Sequence, residues 1–214
     1  MSQVFKYYDD QGGVVEVLKG VDLKVKEGEL VVVMGPSGCG KTTLLNLVAG
    51  IDHPNKGSVK VGGKDLTRMG EKQLGEYRKN NVGYVFQFFN LIPTLTALEN
   101  VELALQIKGV KDLAKAGKML KKVGLGDKFN RFPSQLSGGE QQRVAIARAM
   151  AKSPLIVVGD EPTGNLDVKT SEDILDLLKE MNKVSGTTII LATHDASYKK
   201  VASRVVEIKG GRIV

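Results

Sequence analysis

The chain has 214 residues, of which 42% are hydrophobic and 26% charged, and its net charge is +7. These values are typical of a globular protein with a sizeable apolar core, and no run approaches the roughly 18 consecutive apolar residues of a membrane span. Residues 1–6 show no signal-peptide pattern and the lone Cys39 cannot form an internal disulfide, so we expect a cytosolic protein of one domain, with or without an inserted lobe.

The basic residues are spread along the whole sequence, with only short pairs such as Lys121-Lys122 and Lys199-Lys200. Nucleic-acid binding is typically accompanied by a basic patch or stripe. We therefore interpret the charge as a solvated surface, which could face anionic lipid or nucleotide, and expect no nucleic-acid partner.

The N-terminal part is predicted to form short antiparallel strands. Residues 4–8 suit a strand that ends in Tyr7 and Tyr8, and residues 9–13 suit a turn. Two further strand-like runs, at 14–18 and 21–25, are joined by Lys19-Gly20. Either tyrosine could offer a flat face to an adenine ring, although a tyrosine in a short strand is more often half-buried.

A phosphate-binding loop follows, in the pattern G-x-x-x-x-G-K-T between an apolar strand at 30–34 and a helix at 43–48. Its glycines let backbone N–H groups point inward at an anion, and the helix N-terminus adds its positive dipole end. Lys41 can reach the β- and γ-phosphates and the Thr42 hydroxyl can take a Mg²⁺ position, so the loop predicts binding of a nucleoside triphosphate. The stretch comprises Gly35, Pro36, Ser37, Gly38, Cys39, Gly40, Lys41, Thr42 and Thr43.

The middle of the chain changes from strands to helices. The predicted elements are a strand at 58–61, a surface helix at 66–79, a buried strand at 82–86, and helices at 96–108 and 113–123. Thr96 and Glu99 form a capping-box pattern. Further on, Ser137, Gly138, Gly139 and Glu140 cap an alanine-rich helix, which predicts a second anion-binding helix N-terminus.

Two adjacent carboxylates, Asp160 and Glu161, end the apolar strand at 155–159. Ligands bind at the carboxyl ends of strands in open α/β sheets, and one acid there can hold Mg²⁺ while its neighbour faces a water. An amphipathic helix at 168–184 and a buried strand at 187–193 follow, with His194 at the strand's end and a hairpin after it. The alternation predicts an α/β fold with a mainly parallel sheet covered on both faces.

In order and spacing these motifs resemble the ATP-binding cassette (ABC) family over essentially the whole chain. The resemblance makes Gly35 to Thr42 the Walker A loop, Gln87 the Q-loop glutamine that contacts Mg²⁺ and Leu136 to Glu140 the signature. It makes Asp160 the metal-binding end of Walker B, Glu161 the catalytic base, 165–167 the D-loop and His194 the switch histidine. Tyr8, rather than Tyr7, resembles the aromatic that stacks on adenine. Lys41, Gln87, Glu161 and His194 are thereby the expected catalytic residues.

The resemblance also implies how such a chain works. The expected fold is a P-loop ATPase core with an N-terminal antiparallel β subdomain and an inserted helical subdomain at about 88–150, all in one domain at 1–214. The expected cofactors are ATP and Mg²⁺. Two copies would pack head to tail, so that Ser137, Gly138 and Gly139 of one close over ATP on the other. The expected site of action is the inner face of the cell membrane, through a separate permease subunit.

Residues 89–101 and 162–167 resemble the branch of lipoprotein-releasing, macrolide-export and cell-division ATPases. Two other functions compete with that of an ATPase subunit of a membrane complex. Soluble ABC ATPases that act on DNA or ribosomes resemble two cassettes in one chain, or one cassette split by a coiled coil, and this sequence has neither. A small-molecule kinase shares the phosphate loop but has no use for the signature or His194.

Overall fold

The computed structural model describes residues 1–10 and 13–214. A six-stranded sheet lies at its centre, in the strand order β11-β10-β3-β9-β8-β7. The five strands from β10 to β7 are parallel, and β11 pairs antiparallel at the edge. The strands are β3 (Leu30–Met34), β7 (Val82–Val85), β8 (Ile156–Asp160), β9 (Thr188–Thr193), β10 (Arg204–Lys209) and β11 (Arg212–Ile213). The predicted parallel sheet is confirmed.

Helices cover both faces of this sheet. On one face α1 and α2 pack with the N-terminal strands, and on the other face α3 to α6 pack together. Alternation along β3 sends Val31 and Val33 to the first face and Val32 to the second, so both faces of the strand are buried. The helices are α1 (Lys41–Ala49), α2 (Glu71–Asn81), α3 (Ala97–Ile107), α4 (Leu113–Lys122), α5 (Gly138–Ala151) and α6 (Val168–Ser185).

A three-stranded antiparallel sheet packs against the α1 side, in the order β2-β1-β4. Its strands are β1 (Ser2–Asp10), β2 (Gly13–Val21) and β4 (Lys56–Ser58). The predicted break at Lys19-Gly20 is wrong, because β2 runs through both residues and residues 23–25 form no strand. Val21 pairs with Val4 and Lys19 with Phe5, so Gly20 is the extra residue of a β-bulge rather than a turn. Of the turn predicted at 9–13, residues 11 and 12 lie outside the described residues, and β1 and β2 take the rest.

The strand predicted at 58–61 is divided in the structure. Ser58 ends β4, whereas β5 (Lys60–Val61) pairs with β6 (Lys64–Asp65) around Gly62 and Gly63. The helix predicted at 66–79 is also divided, into a 3-10 turn (Leu66–Arg68) and α2, because Gly70 caps α2 in an extended conformation.

Three helices lie between β7 and β8 in the chain. α3 begins at the predicted capping box, in which Thr96 and Glu99 bond each other's backbone N–H groups. α4 and α5 follow and pack with α3. The description of 88–150 as a separate helical subdomain stays a prediction. No helix within residues 1–10 and 13–214 is long and apolar enough to cross a membrane.

Candidate active site

The phosphate loop connects the buried strand β3 to α1 and rests on β2. Gly40 caps α1 with a φ of 106°, a region that side chains rarely adopt. A Cβ on Gly40 would also lie 2.8 Å from the Leu18 side chain and 3.0 Å from the Val17 carbonyl oxygen. Cys39 is buried in the same apolar cluster. The fold therefore requires a glycine at position 40, where the phosphate loop meets the N-terminal sheet.

Lys41 and Thr42 point to different parts of the site. Lys41 is 7% exposed, and its Nζ donates to the carbonyl oxygens of Gly35 at 2.7 Å and Pro36 at 3.0 Å. Thr42 Oγ1 donates to Asp160 Oδ2 at 2.7 Å. This bond joins the phosphate loop to the end of β8, two strands away in the sheet. The structure thus brings together two of the three side chains that the sequence predicts as metal ligands, Thr42 and Asp160.

Asp160 is a half-buried carboxylate with competing influences on its charge. Burial raises the pKa of Asp160 above its ordinary value, and the nearby charge of Glu161 raises it further. The hydrogen bond from Thr42 and the charge of Lys41 act in the opposite direction. A cation beside Asp160 would favour its charged form, which fits a metal-binding carboxylate.

Glu161 is held by the end of the neighbouring strand β9. Its Oε2 accepts a hydrogen bond from Thr193 Oγ1 at 2.7 Å, and its Oε1 accepts from the His194 backbone N–H at 3.1 Å. The His194 ring nitrogen Nδ1 lies 2.7 Å from the same Oε1. The backbone of Glu161 has a φ of 45°, which is unusual for a residue with a side chain. Three contacts therefore fix the Glu161 carboxylate, while the backbone of the same residue is strained.

A cavity of about 360 Å³ joins these groups. Gln87 reaches it from the end of β7, and its Nε2 lies 3.4 Å from Asn165 Oδ1 in the predicted D-loop. His194 lines a separate recess together with Gly35 and Pro36. The cavity is lined by Ser37, Gly38, Lys41, Thr42, Phe86, Gln87, Phe88, Asn90, Asp160 and Glu161. Four strand ends thus place most of the predicted residues at one edge of the sheet.

Within the described chain, the predicted signature residues do not line that cavity. Ser137 Oγ accepts from the Glu140 backbone N–H at 3.3 Å, and Glu140 Oε2 accepts from the Ser137 N–H at 2.8 Å. The latter bond is the main reason that the pKa of Glu140 is lowered. A Cβ on Gly139 would lie 2.5 Å from the Thr170 side chain, so the N-terminus of α5 packs closely on α6. This helix end is well formed and lies outside the cavity of its own chain.

The predicted adenine platform is likewise outside the cavity lining. Tyr8 is 40% exposed and its hydroxyl donates to Asp52 Oδ2 at 2.8 Å. Lys6 Nζ lies 4.6 Å from the centre of the Tyr8 ring, a cation–π arrangement. Tyr7 is half-buried. The more exposed of the two rings is the one that the resemblance favours.

Sequence reasoning missed several residues that hold the site's loops. Gln142, fully buried in α5, donates to the Pro162 carbonyl oxygen at 2.6 Å, and Arg148 donates to the Phe89 carbonyl oxygen at 2.8 Å. Tyr198 is 1% exposed, and its hydroxyl accepts from the Thr163 backbone N–H at 3.1 Å. The sequence signal for Gln142 and Arg148 is a polar side chain within the alanine-rich helix α5. Tyr198 lies in a short 3-10 turn (Ala196–Lys200) and has no such signal.

A phosphate loop with two carboxylates at the carboxyl edge of a parallel sheet defines the P-loop class of nucleotide-binding proteins. The chain belongs to the ABC transporter family, whose model matches residues 18–164. It is an ATP-binding cassette that hydrolyses ATP.

Several known proteins are similar to this chain over nearly its whole length. An uncharacterized ABC transporter ATP-binding protein of Thermotoga maritima is 46% identical over 98% of this chain and 91% of its own length. The lipoprotein-releasing system ATP-binding protein LolD of Geobacter metallireducens is 45% identical over 94% of this chain and 90% of its own.

Among solved structures, a dimeric post-hydrolysis state of the ATP-binding cassette MJ0796, of Methanocaldococcus jannaschii, bound to ADP and Pi is similar with a TM-score of 0.90. It is 42% identical, and the match covers 99% of this chain and 94% of that one. The expected fold and ATPase family are thereby confirmed.

Proposed function

We propose that this cassette powers a membrane transport or force-transmitting complex of the lipoprotein-releasing and export branch. It would lie on the inner face of the cell membrane, bound to a separate permease subunit. The observation that carries the proposal is the meeting of Lys41, Thr42, Asp160, Glu161 and Gln87 around one cavity. The relative named LolD supports the branch.

In the proposed reaction, water attacks the γ-phosphorus of ATP and the bond to the β-γ bridging oxygen breaks, giving ADP and phosphate. Glu161 takes the proton of the attacking water, since its carboxylate lies at the cavity wall beside the phosphate loop. His194 orients the water and the γ-phosphate from the end of β9. Lys41 and the N-terminus of α1 stabilise negative charge on the phosphates.

The residues present also fit Mg²⁺. This ion prefers oxygen ligands and is commonly held by one or two carboxylates or hydroxyls together with substrate phosphates. Thr42 Oγ1 and Asp160 Oδ2 already lie 2.7 Å apart, and we assign both, with Gln87, as its protein ligands. Bound there, the ion would neutralise phosphate charge. Ser37 to Thr43 and Tyr8 would bind the rest of the nucleotide.

The second helix N-terminus supports a head-to-tail homodimer. Ser137, Gly138 and Gly139 cap α5 outside the cavity of their own chain. In the proposed dimer, these residues of one copy complete the nucleotide site of the other, and their backbone N–H groups face the phosphates of the bound nucleotide. The MJ0796 structure that resembles this chain is dimeric.

A groove of about 490 Å³ between α2, β7 and the α3–α5 helices is our candidate permease contact. Its floor includes the stacked rings of Tyr84 and Phe86, 4.1 Å apart. Arg78, Lys79, Arg148 and Lys152 line it, and none of its lining residues in the described chain is acidic. An amphipathic helix with apolar and acidic side chains fits this chemistry.

Ile51→Asp tests the proposal, because Ile51 lines the groove and is 47% exposed, so the change should not disturb folding. Val184→Asp is the matched control at a residue that is 69% exposed and outside the groove. A permease partner that co-purifies with wild type should also co-purify with V184D but not with I51D, while ATP hydrolysis by the isolated chain persists in all three. A complex that survives I51D would contradict the groove assignment.

A further inference from the structure

Positive charge is concentrated in one short part of this chain. Residues 108–131 contain eight Lys or Arg and two Asp, and no Glu. They account for six of the seven net positive charges, so the rest of the chain is close to neutral. The Lys and Arg residues themselves are spread along the whole sequence, but their excess over Asp and Glu lies in this segment.

The structure places five of these eight basic residues on, or just before, one side of α4. Ala116, Gly117 and Leu120 are the buried side of the helix, which packs on α3 and α5. Lys115, Lys118 and Lys122 follow at i, i+3 and i+7 on the opposite side, a spacing that aligns side chains along a helix. Lys121 is beside them, and Lys111 lies just before the helix. We call Lys111, Lys115, Lys118, Lys121 and Lys122 the α4 lysine face.

Ion pairs within the described chain do not account for these lysines. Among the described side chains, none of the five has a carboxylate within 4.0 Å. By contrast Lys128 pairs with Glu140 at 3.7 Å, and Lys108 donates to the Lys152 carbonyl oxygen at 2.7 Å. Like charges three or four residues apart destabilise a helix, so the α4 lysine face opposes local stability.

Apolar side chains border the lysines. Leu113 begins α4 and is 52% exposed, and Ile107 ends α3 and is 57% exposed. Ile107 also lines the groove assigned above to the permease. The segment that connects the two helices therefore starts at the groove and leads directly to the lysines.

We propose that the α4 lysine face binds anionic lipid headgroups on the membrane beside the permease. Lysine clusters on an amphipathic helix with neighbouring apolar residues are typical of contacts with an acidic bilayer surface. Single-stranded RNA is usually bound through aromatic side chains on which bases stack, and residues 108–122 contain none. The choice of a membrane over RNA also rests on the proposed function.

Sedimentation with vesicles tests this contact without a permease. The full chain should bind vesicles of equal parts phosphatidylcholine and phosphatidylglycerol, bind pure phosphatidylcholine far less, and be released by salt. Each lysine near such a surface contributes roughly a fivefold factor in binding. The variant K115Q/K118Q/K121Q/K122Q should therefore bind at least about a hundredfold more weakly.

The charge-matched control is K24Q/K56Q/K64Q/K183Q, which changes four exposed lysines outside α4. It should keep most of the vesicle binding, and both variants should hydrolyse ATP as wild type does. The proposal would be overturned if the two variants lost vesicle binding equally, or if the α4 variant bound as wild type does. It would also be overturned if an RNA oligonucleotide displaced the protein from vesicles at lower concentrations than competing lipid does. I51D should bind vesicles as wild type does, so a failure of the permease assignment can be distinguished from a failure of the lipid assignment.

Discussion

At the scale of single residues, Glu161 combines an unusual backbone with a fully bonded side chain. A φ of 45° costs a residue with a Cβ of the order of 1–2 kcal/mol. Thr193 and His194 bind both carboxylate oxygens, and the Glu161 N–H donates to the Ala192 carbonyl oxygen at 2.9 Å. Contacts with the end of β9 thus hold Glu161 in a backbone conformation that is otherwise unfavourable for a residue with a side chain.

Glu161→Gln should keep this shape while removing the base. We expect ATP binding to persist and hydrolysis to fall roughly a hundredfold or more. An ATP-bound dimer should accumulate, which size-exclusion chromatography with ATP would detect. Glu180→Gln, at an exposed position of α6, is the control and should behave as wild type. A monomeric E161Q protein with normal turnover would contradict the assignment.

Tyr198 links the segment after β9 to the loop that follows Glu161. Tyr198→Phe removes the hydroxyl that bonds the Thr163 N–H and lies 2.8 Å from Thr163 Oγ1. We expect a loss of about 1–3 kcal/mol in the free energy of unfolding, because a buried N–H loses its partner. The rate of ATP hydrolysis should also fall, because the loop beside Glu161 is less constrained.

The control for that change is Tyr77→Phe. Tyr77 is also buried, and its hydroxyl donates to the Val48 carbonyl oxygen at 3.1 Å, on the other face of the sheet. Urea unfolding should show both proteins destabilised, whereas only Y198F should lose activity when assayed fully folded. Equal activities would leave Tyr198 with a purely structural role.

At the scale of elements, the C-terminus of α5 is followed by a lysine with a lowered pKa. Lys152 Nζ donates to the Arg78 carbonyl oxygen at 3.0 Å. Burial first, and then the charge of Lys108, lower the pKa of Lys152 to about 8. Arg78, Lys79 and Arg148 also line the same groove. The lysine therefore titrates below its ordinary range.

This shift gives a pH prediction with a definite sign. Between pH 8 and the ordinary lysine value of 10.5, the unfolded chain binds more protons at Lys152 than the folded chain does. Its contribution to the free energy of unfolding therefore rises with pH across that window. Urea titrations should show wild type gaining stability relative to Lys152→Met as pH rises, while Lys183→Met, at an exposed site, should run parallel to wild type.

The elements also show what could be predicted from sequence. The phosphate loop and the capping boxes can be predicted, because the residues that form them interact with others only a few positions away in the sequence. The bulge at Gly20 was not, since the turn-like pair Lys19-Gly20 becomes strand only through pairing with Phe5 and Val4. Thr193 and Tyr198 gain their roles from the packing of strand ends that lie far apart in the sequence. Their residue types alone do not indicate those roles.

At the scale of the whole molecule, the two parts of each nucleotide site should lie on different chains. Ser137→Arg should leave nucleotide binding nearly intact and abolish closure of the dimer and hydrolysis. Lys41→Ala should lose binding itself, through loss of a charge-assisted contact of roughly 1.5–3 kcal/mol. Mixing the two inactive proteins should restore part of the ATPase activity, because one site of a mixed dimer then has an intact loop and an intact signature.

Thr96→Arg controls for helix capping, because it breaks the similar capping box of α3 outside the signature. It should destabilise the fold as Ser137→Arg does without abolishing hydrolysis. Native mass spectrometry would count mixed dimers in the same samples. If mixed dimers form without recovered activity, single-site nucleotide occupancy decides whether the site is unshared or both sites must act together.

The position of β3 in the sheet has a consequence for how the chain folds during synthesis. Leu30 pairs with Ile189 and Val31 with Arg204, so the two neighbours of the phosphate-loop strand are made about 160 and 170 residues later. Such distant pairings fold slowly because a long loop must close first. At roughly 5–20 residues per second, β3 waits on the order of ten seconds or more for a partner. A nascent chain that ends before Thr188 thus exposes an unpaired apolar strand, and the strand that leads into the phosphate loop gains its neighbours in the sheet only when β9 and β10 have left the ribosome.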